Sequence, residues 1–217
     1  MNQHPRTAER FLRREKTDRP RCRNYHRWHQ GEPNYYLWAL LIDCPQILAR
    51  THAARTQLEP YLIDRYQRQD HITIFACGFS GADYDRHRER LEKFPIGPFE
   101  LKVHGANSFP LAPFLEVEDC DGGLNALRSR FNSVTPEERT TAYVPHITLG
   151  IYNNHHCTRT LAARLREAVP REPITYRARA LSFCTYRTDD IGSPLAVESE
   201  YHIPIARSKK KATGAPR

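Results

Sequence analysis

The chain has 217 residues, room for one large domain or two small lobes around a real core. With 39% hydrophobic and 27% charged residues, no run of about 18 apolar residues and no apolar segment behind the charged N-terminus, it is expected to carry neither a membrane span nor a secretion signal. The net charge of +8 sits at the ends: residues 1–34 hold nine Lys/Arg against four Asp/Glu, residues 207–217 five against none, and residues 35–206 nineteen against twenty-one. Basic ends on a near-neutral body suit a polyanion such as nucleic acid, and equally suit solvated tails.

Three regions follow: a basic, aromatic-rich N-terminal arm (1–34), a body (35–206) and a disordered basic tail (207–217). In the arm, Arg6, Arg10, Arg13, Arg14 and Lys16 can line a short helix that Pro20 stops. Arg21 to His29 interleaves cations with aromatics, a mixture suited to a phosphate backbone with base stacking. The same stretch can instead fold over the body, anchored by Tyr25 and Trp28. Cys22, His26 and His29 make a poor three-ligand metal site. The six cysteines, at 22, 44, 77, 120, 157 and 184, form no CxxC pair, and a reduced, cytoplasmic protein is expected.

Tyr35–Asp43 reads as a buried strand, and Pro45 opens a helix to about residue 62. His71-Ile72-Thr73-Ile74 then starts a strand to about residue 79. A charged helix follows Asp83 and ends before Pro95, and strands around 99–104 and 114–117 form a hairpin. A helix carries Leu124, Leu127 and Phe131. His146-Ile147-Thr148-Leu149 starts a second strand, to about 152. A helix over 158–169, one long strand over 174–187 and a hairpin partner over 195–205 close the body. The order therefore repeats, with one His-x-Thr string in each half.

In a strand, residues i and i+2 share a face, so His71 pairs with Thr73 and His146 with Thr148. An imidazole beside a hydroxyl, presented twice, suits a phosphate site with its own acid and base. A lone histidine at such a place is more often satisfied in a core; a matched pair is not.

These two His-hydrophobic-Thr-hydrophobic tetrads, with Pro145 before the second and a closing hairpin, resemble the signature of the 2H phosphoesterase superfamily, which includes 2′-5′ RNA ligase-like proteins and cyclic nucleotide phosphodiesterases. The resemblance covers residues 35–206 and implies an α+β fold of two pseudo-symmetric lobes with antiparallel-rich sheets around a central cleft, one tetrad per lobe. It implies that His71 and His146 act as general acid and base in opening a 2′,3′-cyclic phosphate, with Thr73 and Thr148 holding the non-bridging oxygens. The same residues can run the reverse, 2′-5′ joining reaction. No metal or cofactor is expected. The partner is an RNA end or a small nucleotide, and the protein is expected to be a monomer. Tyr36, Trp38, Tyr152 and Tyr186 are candidate stacking partners for a base, and Arg187 for a phosphate. The remaining histidines, at 4, 52, 87 and 104, are expected to be exposed, and no role falls to His155 or His156. The alternative function is a nucleotide- or RNA-binding module of the same fold with little turnover; a weaker one is a zinc hydrolase on Cys22, His26 and His29.

Overall fold

The computed structural model describes residues 4–20, 27, 29–137 and 142–204. Its elements run α1 (His4–Leu12), β1 (Asn34–Leu41), α2 (Pro45–Leu58), β2 (His71–Gly78), α3 (Tyr84–Lys93), β3 (Phe99–Ser108), β4 (Pro113–Asp119), α4 (Gly123–Asn132), β5 (His146–Thr148), α5 (Thr158–Ala168), β6 (Ile174–Ala178), β7 (Ala180–Arg187) and β8 (Ala196–His202). The fold is α+β, with two four-stranded sheets in the orders β2-β1-β7-β8 and β5-β4-β3-β6. Every ladder is antiparallel. Each sheet carries one tetrad strand, at its edge.

The sheets are not the two halves of the sequence. One takes its strands from both ends of the body, and the other takes the middle. The long strand expected over 174–187 breaks at Arg179: β6 joins β3 in one sheet and β7 joins β1 in the other. The second tetrad strand also differs from expectation, since its ladder with β4 ends at Thr148. Beyond it, Ile63 N–H donates to the Ile151 carbonyl at 2.9 Å and Asn153 N–H to the Tyr61 carbonyl at 3.0 Å, while Tyr152 N–H still donates to the Leu111 carbonyl at 3.0 Å, so the chain gains a second partner. Helix α2 likewise stops at Leu58, before Pro60, and passes into a single 3-10 turn at Glu59–Tyr61.

One continuous core joins the sheets and helices, through Trp38, Leu40, Ile72, Ile74, Leu101, Leu115, Phe131, Ile147 and Leu181. On the opposite face of β1, Leu37 and Ala39 group with Cys184, Tyr186 and Leu195. The first described residues pack on the body: Phe11 is buried with Tyr152 and Leu161, and Thr17 N–H donates to the His156 carbonyl at 2.9 Å. The Thr17 hydroxyl donates to the Asn154 carbonyl at 2.9 Å, and Nδ1 of His155 donates to the Thr17 carbonyl at 2.7 Å. His155 and His156 thus help latch the N-terminal segment.

Candidate active site

Strand alternation builds each half of the site. In β2, Ile72 and Ile74 are buried in the core while Thr73 turns to the cleft beside His71. In β5, Ile147 points inward and His146 and Thr148 turn out. The two histidines are held alike. Nδ1 of His71 lies 2.7 Å from the Gln69 carbonyl and Nδ1 of His146 lies 2.6 Å from the Val144 carbonyl, each two residues back in the chain. A carbonyl only accepts, so each Nδ1 carries the proton, and Nε2 is the nitrogen left to exchange protons.

All four tetrad side chains line one cavity of about 360 Å³. That is near the lower end of small-molecule pockets and suits one nucleotide rather than a length of strand. Tyr35, Tyr66, Arg68, Ile191 and Tyr186 share its wall with His71, and Phe109, Leu111 and Ala112 line it with His146. The Arg68 guanidinium lies 4.1 Å from the centre of the Tyr186 ring and donates to the carbonyls of Ser193 (3.2 Å) and Ile191 (3.3 Å). The Phe109 ring meets His146 edge-on, with centroids 4.9 Å apart. Burial drives the His71 pKa down to about 4, outweighing the Gln69 carbonyl, and the nearby Arg68 and Arg55 cations push the same way.

Of the five expected substrate contacts, Tyr186 alone lines this cavity. Trp38 is 1% exposed and sits in the core, stacked on Tyr84 and Phe131, with its indole N–H donated to Nδ1 of His87 at 3.2 Å. His87 is accordingly buried, against expectation. Tyr36 shares Trp38's side of β1 and stacks on Phe183. Tyr152 is fully buried and shares a 2.7 Å hydroxyl hydrogen bond with Ser108. Arg187 lies on the surface, forked onto Asp189. The aromatic and cationic cleft residues absent from that set are Tyr35, Tyr66, Arg68 and Phe109. The signal for Tyr66 and Arg68 was their place in the loop that delivers His71, because loops beside strand edges carry function.

His29 is buried, its Nε2 2.9 Å from the Tyr186 hydroxyl, and its ring meets those of Tyr35 and Phe79 edge-on. It packs behind the cleft wall. Cys22, Tyr25, His26, Trp28 and the basic tail 207–217 lie outside the described residues. Among the described residues, no group of three or more His, Cys, Asp or Glu could hold a metal ion, and no helix is long and apolar enough to cross a membrane.

Two antiparallel sheets that each present a His-x-Thr edge to one shared cavity define an α+β protein of the two-histidine class. A family model described as the 2′-5′ RNA ligase superfamily matches residues 45–190, and the chain belongs to that superfamily of phosphoester-acting enzymes. Among solved structures, it is similar to TT0787 of Thermus thermophilus, with 14% identity over 80% of this chain and 100% of that one and a TM-score of 0.60. E. coli LigT in apo form shares 15% identity over 79% and 98%, at a TM-score of 0.56. E. coli LigT complexed with 3′-AMP shares 16% over 79% and 99%, at a TM-score of 0.51. At these identities the likeness shows the fold. No curated protein matches the chain.

Proposed function

We propose that this chain is a metal-independent cyclic phosphodiesterase that hydrolyses a 2′,3′-cyclic phosphate on an RNA end or a small nucleotide. The observation that carries the proposal is the matched pair of imidazoles in one cavity, each with Nδ1–H tied to its own backbone. LigT's complexes with 3′-AMP and NADP+ support a nucleotide-sized ligand.

His71, neutral at working pH, accepts a proton from water through Nε2 as the water oxygen attacks phosphorus. The bond from phosphorus to one ribose oxygen breaks, and His146, more open to solvent, delivers a proton to that oxygen. The Thr73 and Thr148 hydroxyls donate to the non-bridging oxygens, where charge gathers. The product is a phosphomonoester. His71 then returns its proton to solvent and His146 is recharged. With a ribose 5′-hydroxyl in place of water as the group that attacks phosphorus, the same step opens the cyclic phosphate into a 2′-5′ diester: the hydroxyl gives its proton to His71, and the ribose 3′ oxygen leaves with a proton from His146. Arg68 adds positive potential at the wall, and Tyr66 and Phe109 offer faces for the base.

His71→Ala and His146→Ala are each expected to lower kcat/KM on a 2′,3′-cyclic nucleotide by about 10²- to 10⁴-fold, with the fold retained by circular dichroism and with chelator leaving the wild-type rate unchanged. Activity within threefold of wild type in either variant, or loss on chelation, would sink the mechanism. Tight nucleotide binding without turnover would favour the binding-module reading.

A further inference from the structure

β2 and β5 each lie at the edge of a sheet, so each presents backbone groups that no neighbouring strand takes up. Two charged pairs take up several of them, and they do so crosswise. Arg55, on the helix that leads into β2, ion-pairs with Asp70, the residue before His71. It then reaches the other tetrad: its Nε donates to the Leu149 carbonyl at 2.9 Å and its Nη2 to the Thr148 carbonyl at 3.2 Å. Arg128, on the helix that precedes β5, ion-pairs with Glu137 and donates through Nη1 to the Ile74 carbonyl of the first tetrad at 2.6 Å. Glu137 accepts the Ala76 N–H at 3.2 Å. Tyr143, three residues before His146, donates its hydroxyl to the Thr73 carbonyl at 2.9 Å, and the Arg128 guanidinium lies 3.7 Å from the centre of its ring.

The arrangement is reciprocal: the segment leading into each tetrad grips the backbone of the other. The carboxylates are deeply buried, with 4% of the Asp70 side chain exposed and 6% of that of Glu137, and the Thr51 hydroxyl also donates to Asp70. Buried ion pairs contribute little stability over apolar packing of the same volume, so their appearance at matching places beside both tetrads calls for another reason. A guanidinium holds three acceptors at fixed angles in one plane, which suits it to setting a distance. Two histidines on opposite sides of one phosphorus need that distance set, because a misplacement of about 1 Å can cost a factor of about 10² in rate.

We propose that Arg55–Asp70 and Arg128–Glu137 are positioning residues, a reciprocal pair of cross-braces that fix the separation of the His71 and His146 strands and hence the in-line geometry of the two imidazoles. The proposal rests on the two-histidine reading of the cleft. The test uses the full chain with Arg55→Lys, Arg55→Gln, Arg128→Lys and the double variant R128M/E137Q, which removes both buried charges together. Each is expected to lower kcat on a 2′,3′-cyclic nucleotide by about 10- to 100-fold with KM within threefold of wild type. Lysine is not expected to rescue, since one ammonium cannot span the carboxylate and the carbonyls together. A kcat within threefold of wild type in both lysine variants overturns the proposal, because charge alone would then suffice. Hydrogen exchange reads the braces without turnover: Arg55→Gln should speed exchange in β5, and R128M/E137Q in β2, with β3 and β7 unchanged. Unaltered exchange in β2 and β5 also overturns the braces. A wild-type protein with no turnover on any cyclic phosphate would instead overturn the proposed function, and the exchange result would still decide the braces.

Discussion

At the first position of β2, burial makes the charged form of His71 costly, and with Arg68 and Arg55 adding repulsion its pKa falls to about 4. A general base must be neutral to act. His71 is fully neutral well above that value and loses neutrality as pH falls through it. The acid limb of the kcat/KM profile is therefore expected at about pH 4 to 5, below the ordinary imidazole value near 6.5. A limb at about 6.5 would remove His71 from the role of general base. Stability carries the same sign. The unfolded chain binds this proton more tightly than the folded one, so the His71 contribution is intact above about pH 6.5 and declines as pH falls towards 4.

The elements show why aromatic residues were hard to assign. β1 is apolar on both faces, so its pattern holds a period of two without a phase. The structure turns Tyr36 and Trp38 to the core side and Tyr35 and Leu37 to the cleft. The phase is set by pairing, where Ala39 lies opposite Thr73 and Tyr35 opposite Tyr186. Tyr152 was displaced for a related reason: the strand that would have aligned it with His146 ends at Thr148, and Ile151 reaches the cavity instead. Trp38→Phe tests the assignment. It deletes the hydrogen bond to His87 and opens space beside Phe131, and is expected to lower the free energy of unfolding in urea by about 2 kcal/mol while KM stays unchanged. A raised KM at unchanged stability would return Trp38 to the substrate.

Across the whole molecule, the basic N-terminal segment contributes to the fold as well as to the charge. Phe11 is 3% exposed, and Thr17 is tied to the turn at Asn154–His156. Its cations, Arg10, Arg13 and Arg14 among them, are thereby carried against the lobe of the second tetrad instead of on a free arm. Phe11→Ala is expected to cost about 3 to 5 kcal/mol in urea unfolding. A cost below about 1 kcal/mol would restore the picture of a free arm. The interleaving of the sheets belongs to the same scale. Arg179 separates β6 from β7, so strands continuous in sequence enter different sheets and tie the lobes together.

The amino-acid sequence by itself determined the tetrads, the strands beneath them and the α+β order, because alternation and turn chemistry act over a few residues and leave a readable period. It also marked His71, Thr73, His146 and Thr148 as one set, since two matching strings are hard to obtain by chance. Only the tertiary structure decided which aromatics face the cleft, that burial lowers the His71 pKa, and that Arg55 and Arg128 reach across to the opposite tetrad. Those outcomes depend on pairing phase, burial and contacts between residues more than 50 positions apart, and no local pattern encodes them.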